Sequence, residues 1–129
     1  MFKGFLPLGP DDFCWADWRI IKLLGPRVGV LFCHAMTEAE RLSGGGDGDE
    51  ILSRIIERMN GDRDDGGLWF EWSPSEIKRR INVNHHRQRV GFRRLIDRGW
   101  LVPVSPRVLR FDFARIREDI PPNSTEEDF

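Results

Sequence analysis

The stretch from Leu68 to Phe113 is punctuated so densely that few chain paths satisfy it. Leu68-Trp69-Phe70-Glu71-Trp72 is short and aromatic, and it reads as a strand. Ser73-Pro74-Ser75-Glu76 has the spacing of a capping box. Ser73 would accept from the backbone at Glu76, Glu76 would reach back, and Pro74 sits where its missing N–H costs nothing. The helix through Ile77 and Ile81 is short and ends at Asn82-Val83-Asn84. Asn84 caps a second helix, His85 to Arg98, which Gly99 closes. Trp100–Val104, a Ser105-Pro106-Arg107 turn and Val108–Phe113 then form a β-hairpin, with alternation in its second arm.

Upstream, Val28, Leu31, Phe32, Ala35, Ala39 and Leu42 make one apolar helical stripe. Gly25-Pro26 separates it from a preceding helix, which Asp11 or Asp12 would cap and which runs to about Leu24. Residues 1–10 read as an extended arm docked through Phe2, Phe5, Leu6 and Leu8. Two glycine- and aspartate-rich stretches, 43–49 and 60–67, read as exposed loops around a short amphipathic helix marked by Ile51, Leu52, Ile55, Ile56 and Met59. The whole is mainly α with a small β-sheet, an α+β class.

A chain of 129 residues holds one core, and 40% hydrophobic with 32% charged residues is a globular balance. No apolar stretch approaches a membrane span, and the N-terminus lacks a secretory pattern. Cys14 and Cys33 read as reduced core thiols, so a cytoplasmic setting is expected.

The formal net charge of −1 hides a strong segregation. Residues 1–68 carry 8 Lys/Arg against 12 Asp/Glu, and residues 69–117 carry 12 against 4. Residues 118–129 carry 5 acids and no base. A compact segment at +8, almost all arginine, is the footprint of a nucleic-acid partner. A solvated helical face answering the acidic half is the alternative.

The order helix, strand, helix, short turn, helix, hairpin, with Gln88-Arg89 and Phe92-Arg93-Arg94-Leu95-Ile96-Asp97-Arg98-Gly99-Trp100-Leu101, resembles the winged helix-turn-helix domains of bacterial and phage DNA-binding proteins. The resemblance is nearest to the N-terminal domains of phage and plasmid replication initiators and covers about residues 26–115. The resemblance implies a winged-helix domain over 26–117 with an insert at 43–67; composition adds an N-terminal arm and helix over 1–25 packed on the core and an acidic disordered tail over 118–129. Val90-Gly91 departs from the pattern, because a glycine inside a helix costs ~1 kcal/mol relative to alanine.

At 100° per residue, Gln88, Phe92, Leu95 and Ile96 share one side of the second helix, with His85 near the same face. His86, Arg87, Val90, Arg94 and Asp97 share the other, flanked by Arg93. The outward face of such a helix enters the major groove. Arg87 and Arg94 suit guanine and Val90 a thymine methyl, while Asn84 and His86 suit base edges or phosphate. Lys78, Arg79, Arg80, Arg107 and Arg110 are placed to grip phosphate from the first helix and the wing.

Enzymatic, metal and cofactor readings fail on spacing. Cys14, Cys33, His34, His85 and His86 offer no paired ligand motif. Asp62–Gly67 lacks the glutamate that would complete a calcium loop, and Gly44-Gly45-Gly46 lacks a phosphate-loop lysine. The expected function is therefore double-stranded DNA binding, in replication initiation or transcriptional control. The alternative is a small phage-type interaction module, such as an anti-CRISPR-like inhibitor, directed at a host protein or nucleoprotein complex. The acidic first half and five tryptophans favour that alternative.

Overall fold

The computed structural model describes residues 3–9, 12–63 and 67–122, and the side chains from residue 14 onward within them. It is mainly helical, with a small three-stranded antiparallel sheet. At its centre lies one long helix, Pro26–Gly44, here α2. Leu31, Phe32, Cys33, Ala35 and Met36 are all fully buried, so α2 packs on more than one side. Leu42, placed on the apolar stripe by its spacing, is instead 78% exposed at the end of the helix.

The N-terminal segment departs from the expected arm and long helix. Lys3–Gly9 and Asp12–Asp17 form an antiparallel hairpin, β1 and β2, and only Trp18–Leu24 is helical, here α1. The apolar run Phe13–Ala16 gains a full ladder by pairing with residues 4–7, which a helix there would forfeit. The helix cap is accordingly Asp17, whose carboxylate accepts from Arg19 N–H at 2.9 Å, in place of Asp11 or Asp12. Trp15 N–H donates to Thr37 Oγ1 at 2.9 Å, and Thr37 donates on to Cys33 O, which fastens β2 to α2.

The short amphipathic helix expected between the two glycine- and aspartate-rich stretches is present and packs into the core. Gly48–Asn60, α3, buries Ile51, Ile55 and Met59 in the common core. Its N-terminus carries the reciprocal capping box: Asp47 accepts from Glu50 N–H, and Glu50 accepts from Asp47 N–H. Arg54 and Arg58 of α3 both bind the buried carboxylate of Glu40 on α2. A buried charge is tolerable only when paired and hydrogen-bonded, and here two guanidiniums meet one carboxylate.

Beyond it follow β3 (Trp69–Glu71), α4 (Pro74–Ile81), α5 (His85–Asp97), β4 (Leu101–Ser105) and β5 (Val108–Phe111). The sheet order is β3-β5-β4, with Phe70 opposite Leu109 and Leu109 opposite Pro103. Pro103 is tolerated because β4 is an edge strand. Phe70, Leu109 and Phe111 face inward, where Phe32 meets Trp100 and Phe111 edge-on at ring separations of 5.1 and 5.7 Å.

Two further expectations are corrected. Phe113 does not extend the hairpin but opens a last helix, α6 (Phe113–Asp119), capped by Asp112. Ile116 and Ile120 are buried, so the domain continues past 117 and Glu118 and Asp119 are not tail. Pro121 O accepts from Arg19 at 2.8 Å, and the acidic stretch 123–129 expected to be disordered lies outside the described residues. No described helix is long and apolar enough to cross a membrane.

Candidate nucleic-acid interface

The geometry around α5 follows from three local devices. Asn82 adopts a left-handed conformation (φ 55°) that ends α4, and its N–H bonds Lys78 O at 3.0 Å. Two residues later Asn84 caps α5, accepting from Arg87 N–H at 2.9 Å. At the far end Gly99 (φ 82°) completes a Schellman closure, with Gly99 N–H to Ile96 O and Trp100 N–H to Leu95 O. Asn84 and Gly99 thus act as their positions in the sequence foretell.

The expected capping box at Ser73 is absent. Ser73 occupies the N-cap position of α4 without a side-chain bond, and Pro74 follows it as expected. Glu76 does not reach back, because Arg79 binds it at 2.9 and 3.2 Å and holds its carboxyl below the usual range.

Gln88, Gly91, Phe92 and Leu95 form the buried face of α5. Phe92 packs edge-on against Trp72 at 5.2 Å. Gly91 explains the departure noted in the sequence: a Cβ there would stand 2.6 Å from Leu31 Cδ2, so glycine lets α5 lie directly on α2.

The opposite face presents His86, Arg87, Arg89, Val90, Arg93, Arg94 and Asp97 to solvent. Val90 is 49% exposed among the arginines. Arg93 is engaged by Asp97 at 3.5 Å. Among the described residues, no ion pair joins Arg87, Arg89, Arg94 or Arg107 to a carboxylate. Arg107 in the β4–β5 turn faces Arg89 and His85 of α5 across a cleft of about 350 Å³ floored by Trp72 and Pro74.

The residues singled out from sequence therefore divide. Asn84, His86, Arg87, Val90, Arg93 and Arg94 share α5, and Arg107 joins them across the cleft. Asn84 has its carboxamide oxygen committed to the cap, which leaves only its NH₂ for a ligand. Lys78 and Arg79 are exposed on α4, the first bonded to Asn82 and the second to Glu76. Arg80 turns inward, near Glu38 at 3.9 Å and Glu76 at 3.6 Å, and is withdrawn from the surface. Arg110 is not with the others: Leu109 and Phe111 take the inner side of β5, so Arg110 lies on the outer side. Arg89 was missed, although it stands one turn after His85 and so on the same side of the helix.

The cysteines and histidines do not converge. Burial pushes the Cys14 thiol up to about 12 and the Cys33 thiol well up, so both stay protonated. His34 is buried on α2, whereas His85 and His86 are exposed on α5. Among the described residues no group of His, Cys, Asp and Glu is arranged to hold a metal ion.

Comparison with protein-family models, with curated proteins and with solved structures finds no match for the chain.

Proposed function

We propose that this chain is a double-stranded-DNA-binding protein built on a winged helix-turn-helix. In this reading α4 and α5 are the helix pair, α5 is the recognition helix, and the β4–β5 turn is the wing. The element order from α2 through β5 and the sheet order β3-β5-β4 support it. The observation that carries it is the outer face of α5. Arg87, Arg89 and Arg94 stand there without carboxylate partners among the described residues, around a half-exposed Val90, with Arg107 across the cleft.

Those residues match what a major groove requires. Arginine forks bind guanine bidentately, and an aliphatic side chain meets a thymine methyl. Arg89 and Arg107, on two sides of one cleft, suit a phosphate of the adjacent backbone. The role assigned is regulatory or replication-initiating, of the phage or plasmid kind, acting by occupancy of a site. A gel-shift on random duplex DNA at low salt, run beside a pulldown from bacterial lysate, tests this. Salt-sensitive duplex binding is expected. Absence of duplex binding, with a stoichiometric protein captured instead, overturns it in favour of the interaction-module reading.

A further inference from the structure

A second group of arginines lies apart from the α5 cleft. Arg58, Arg63, Arg110 and Arg117 line a cleft of about 430 Å³ between the end of α3, β5 and the start of α6. Among the described residues one acid, Asp112, shares the lining, and its carboxylate is committed to capping α6 through Arg115 N–H. Arg58 is a fixed wall charge, ion-paired to Glu40 and set 5.8 Å from the centre of the Phe113 ring.

Arg63 is ion-paired to Glu57 at 3.0 Å, and the remaining two charges are held in place. Arg117 donates from Nη1 to Arg58 O at 2.8 Å and stands over Gly61, with Nε 3.5 Å from where a Cβ would be. The Arg110 stem runs beside Gly67 at 3.7 Å on the same measure. Neither Arg110 nor Arg117 makes an ion pair with a carboxylate of the described residues. Trp69 pairs with Arg110 in the β3–β5 register, so it stands on the same outer face beside that arginine, 49% exposed.

Guanidiniums crowded in a concave site repel one another and focus field lines toward an anion. Their planar forks match phosphate oxygens, and a half-exposed indole is a stacking surface for a base. The volume is that of a small-molecule site. We propose that this cleft binds the polyphosphate of a nucleoside triphosphate, with phosphates on Arg110 and Arg117 and the base against Trp69. The inference is independent of the DNA reading, because the two clefts share no lining residue.

The test is a ¹H–¹⁵N NMR titration of the full chain that follows the Arg110 and Arg117 Nε–H signals and the Trp69 indole. ATP, inorganic triphosphate, adenosine and a short duplex DNA are the probes. ATP and triphosphate should shift both arginine signals saturably with Kd below about 1 mM, and ATP alone should also shift the indole. Arg110→Gln should weaken ATP binding about tenfold or more while leaving any duplex binding at α5 unchanged. Arg117→Gln serves if the first variant does not fold.

Asp64 and Asp65, which lie in sequence between Arg63 and Gly67, make a necessary control as the D64N/D65N variant. Binding by both wild type and variant supports the site. No saturable shift in the wild type overturns it, and binding by D64N/D65N alone overturns it in favour of loop carboxylates as the occupant. Shifts caused by duplex DNA but not by ATP overturn the nucleotide assignment. ATP shifts confined to Arg87 and Arg94 overturn the site itself.

Discussion

Gln88 accepts a hydrogen bond from the Trp72 indole at 2.8 Å, in the middle of the interface between α5 and the strand that precedes α4. The same amide donates to Pro74 O at 2.9 Å and Val83 O at 2.7 Å, and the side chain is fully buried. One residue thereby fixes α5 to both ends of α4, and so fixes the angle at which the arginine face is presented.

Gln88→Ala should destabilise the fold by about 3 kcal/mol, since it orphans one donor and two acceptors around a buried side chain. Urea denaturation checks the magnitude. A loss below about 0.5 kcal/mol would mean that water replaces the amide, and that Gln88 does not set the helix angle.

Gly91→Ala should also destabilise, by about 1 kcal/mol. Overpacking of about 1–3 kcal/mol against Leu31 outweighs the ~1 kcal/mol gain in helix propensity. A double-mutant cycle with Leu31→Ala should show coupling of opposite sign to the single losses, because the smaller side chain removes the clash. Strict additivity would separate the two positions.

The capping assignments give opposite expectations at two similar motifs. Asp47→Ala should cost about 1 kcal/mol, because Asp47 and Glu50 bond reciprocally. Ser73→Ala should fall within about 0.5 kcal/mol of wild type, because Ser73 makes no cap bond. Thermal denaturation of the pair decides, and a larger loss at Ser73 than at Asp47 reverses the assignment.

Those two motifs show what was legible in the sequence. Asn84, Gly99 and Pro26 act through their own backbone positions, so spacing alone located them. Ser73-x-x-Glu76 has the spacing of a capping box, but three-dimensional context gave Glu76 to Arg79. Local pattern predicts helix where Asp12–Asp17 is strand, because its partner, Lys3–Gly9, contributes through pairing that no local window contains. The helical wheel placed Arg87, Val90 and Arg94 correctly outward. Arg107 and Arg110 needed the tertiary structure: the β4–β5 turn puts Arg107 across a cleft from α5, and the alternation of β5 puts Arg110 on its outer side.

Acid should weaken the attachment of α6. Asp119 accepts from Trp100 Nε1 at 2.7 Å and pairs with Arg98 at 3.3 Å. The Trp100 bond, then Arg98, holds its carboxyl below the ordinary 3.8. A depressed carboxyl contributes stability that is full above 3.8 and is lost as pH falls through its folded value. Asp119→Asn should therefore be less stable than wild type at pH 7, with the gap closing toward pH 2 in urea midpoints. A gap that persists at pH 2 would assign the effect to packing instead of charge.

The central claim is that the unpaired arginines of α5 and the β4–β5 turn meet DNA phosphates and bases. Fluorescence anisotropy of a labelled duplex across a salt series measures it most directly. If Arg89 and Arg107 each neutralise a phosphate, the slope of log K against log salt should be roughly −2. Arg107→Ala should lower its magnitude by about 1 across all sequences, whereas Arg94→Ala should also erode discrimination between sequences. Absence of binding at low salt, or binding with no salt dependence, would contradict the account.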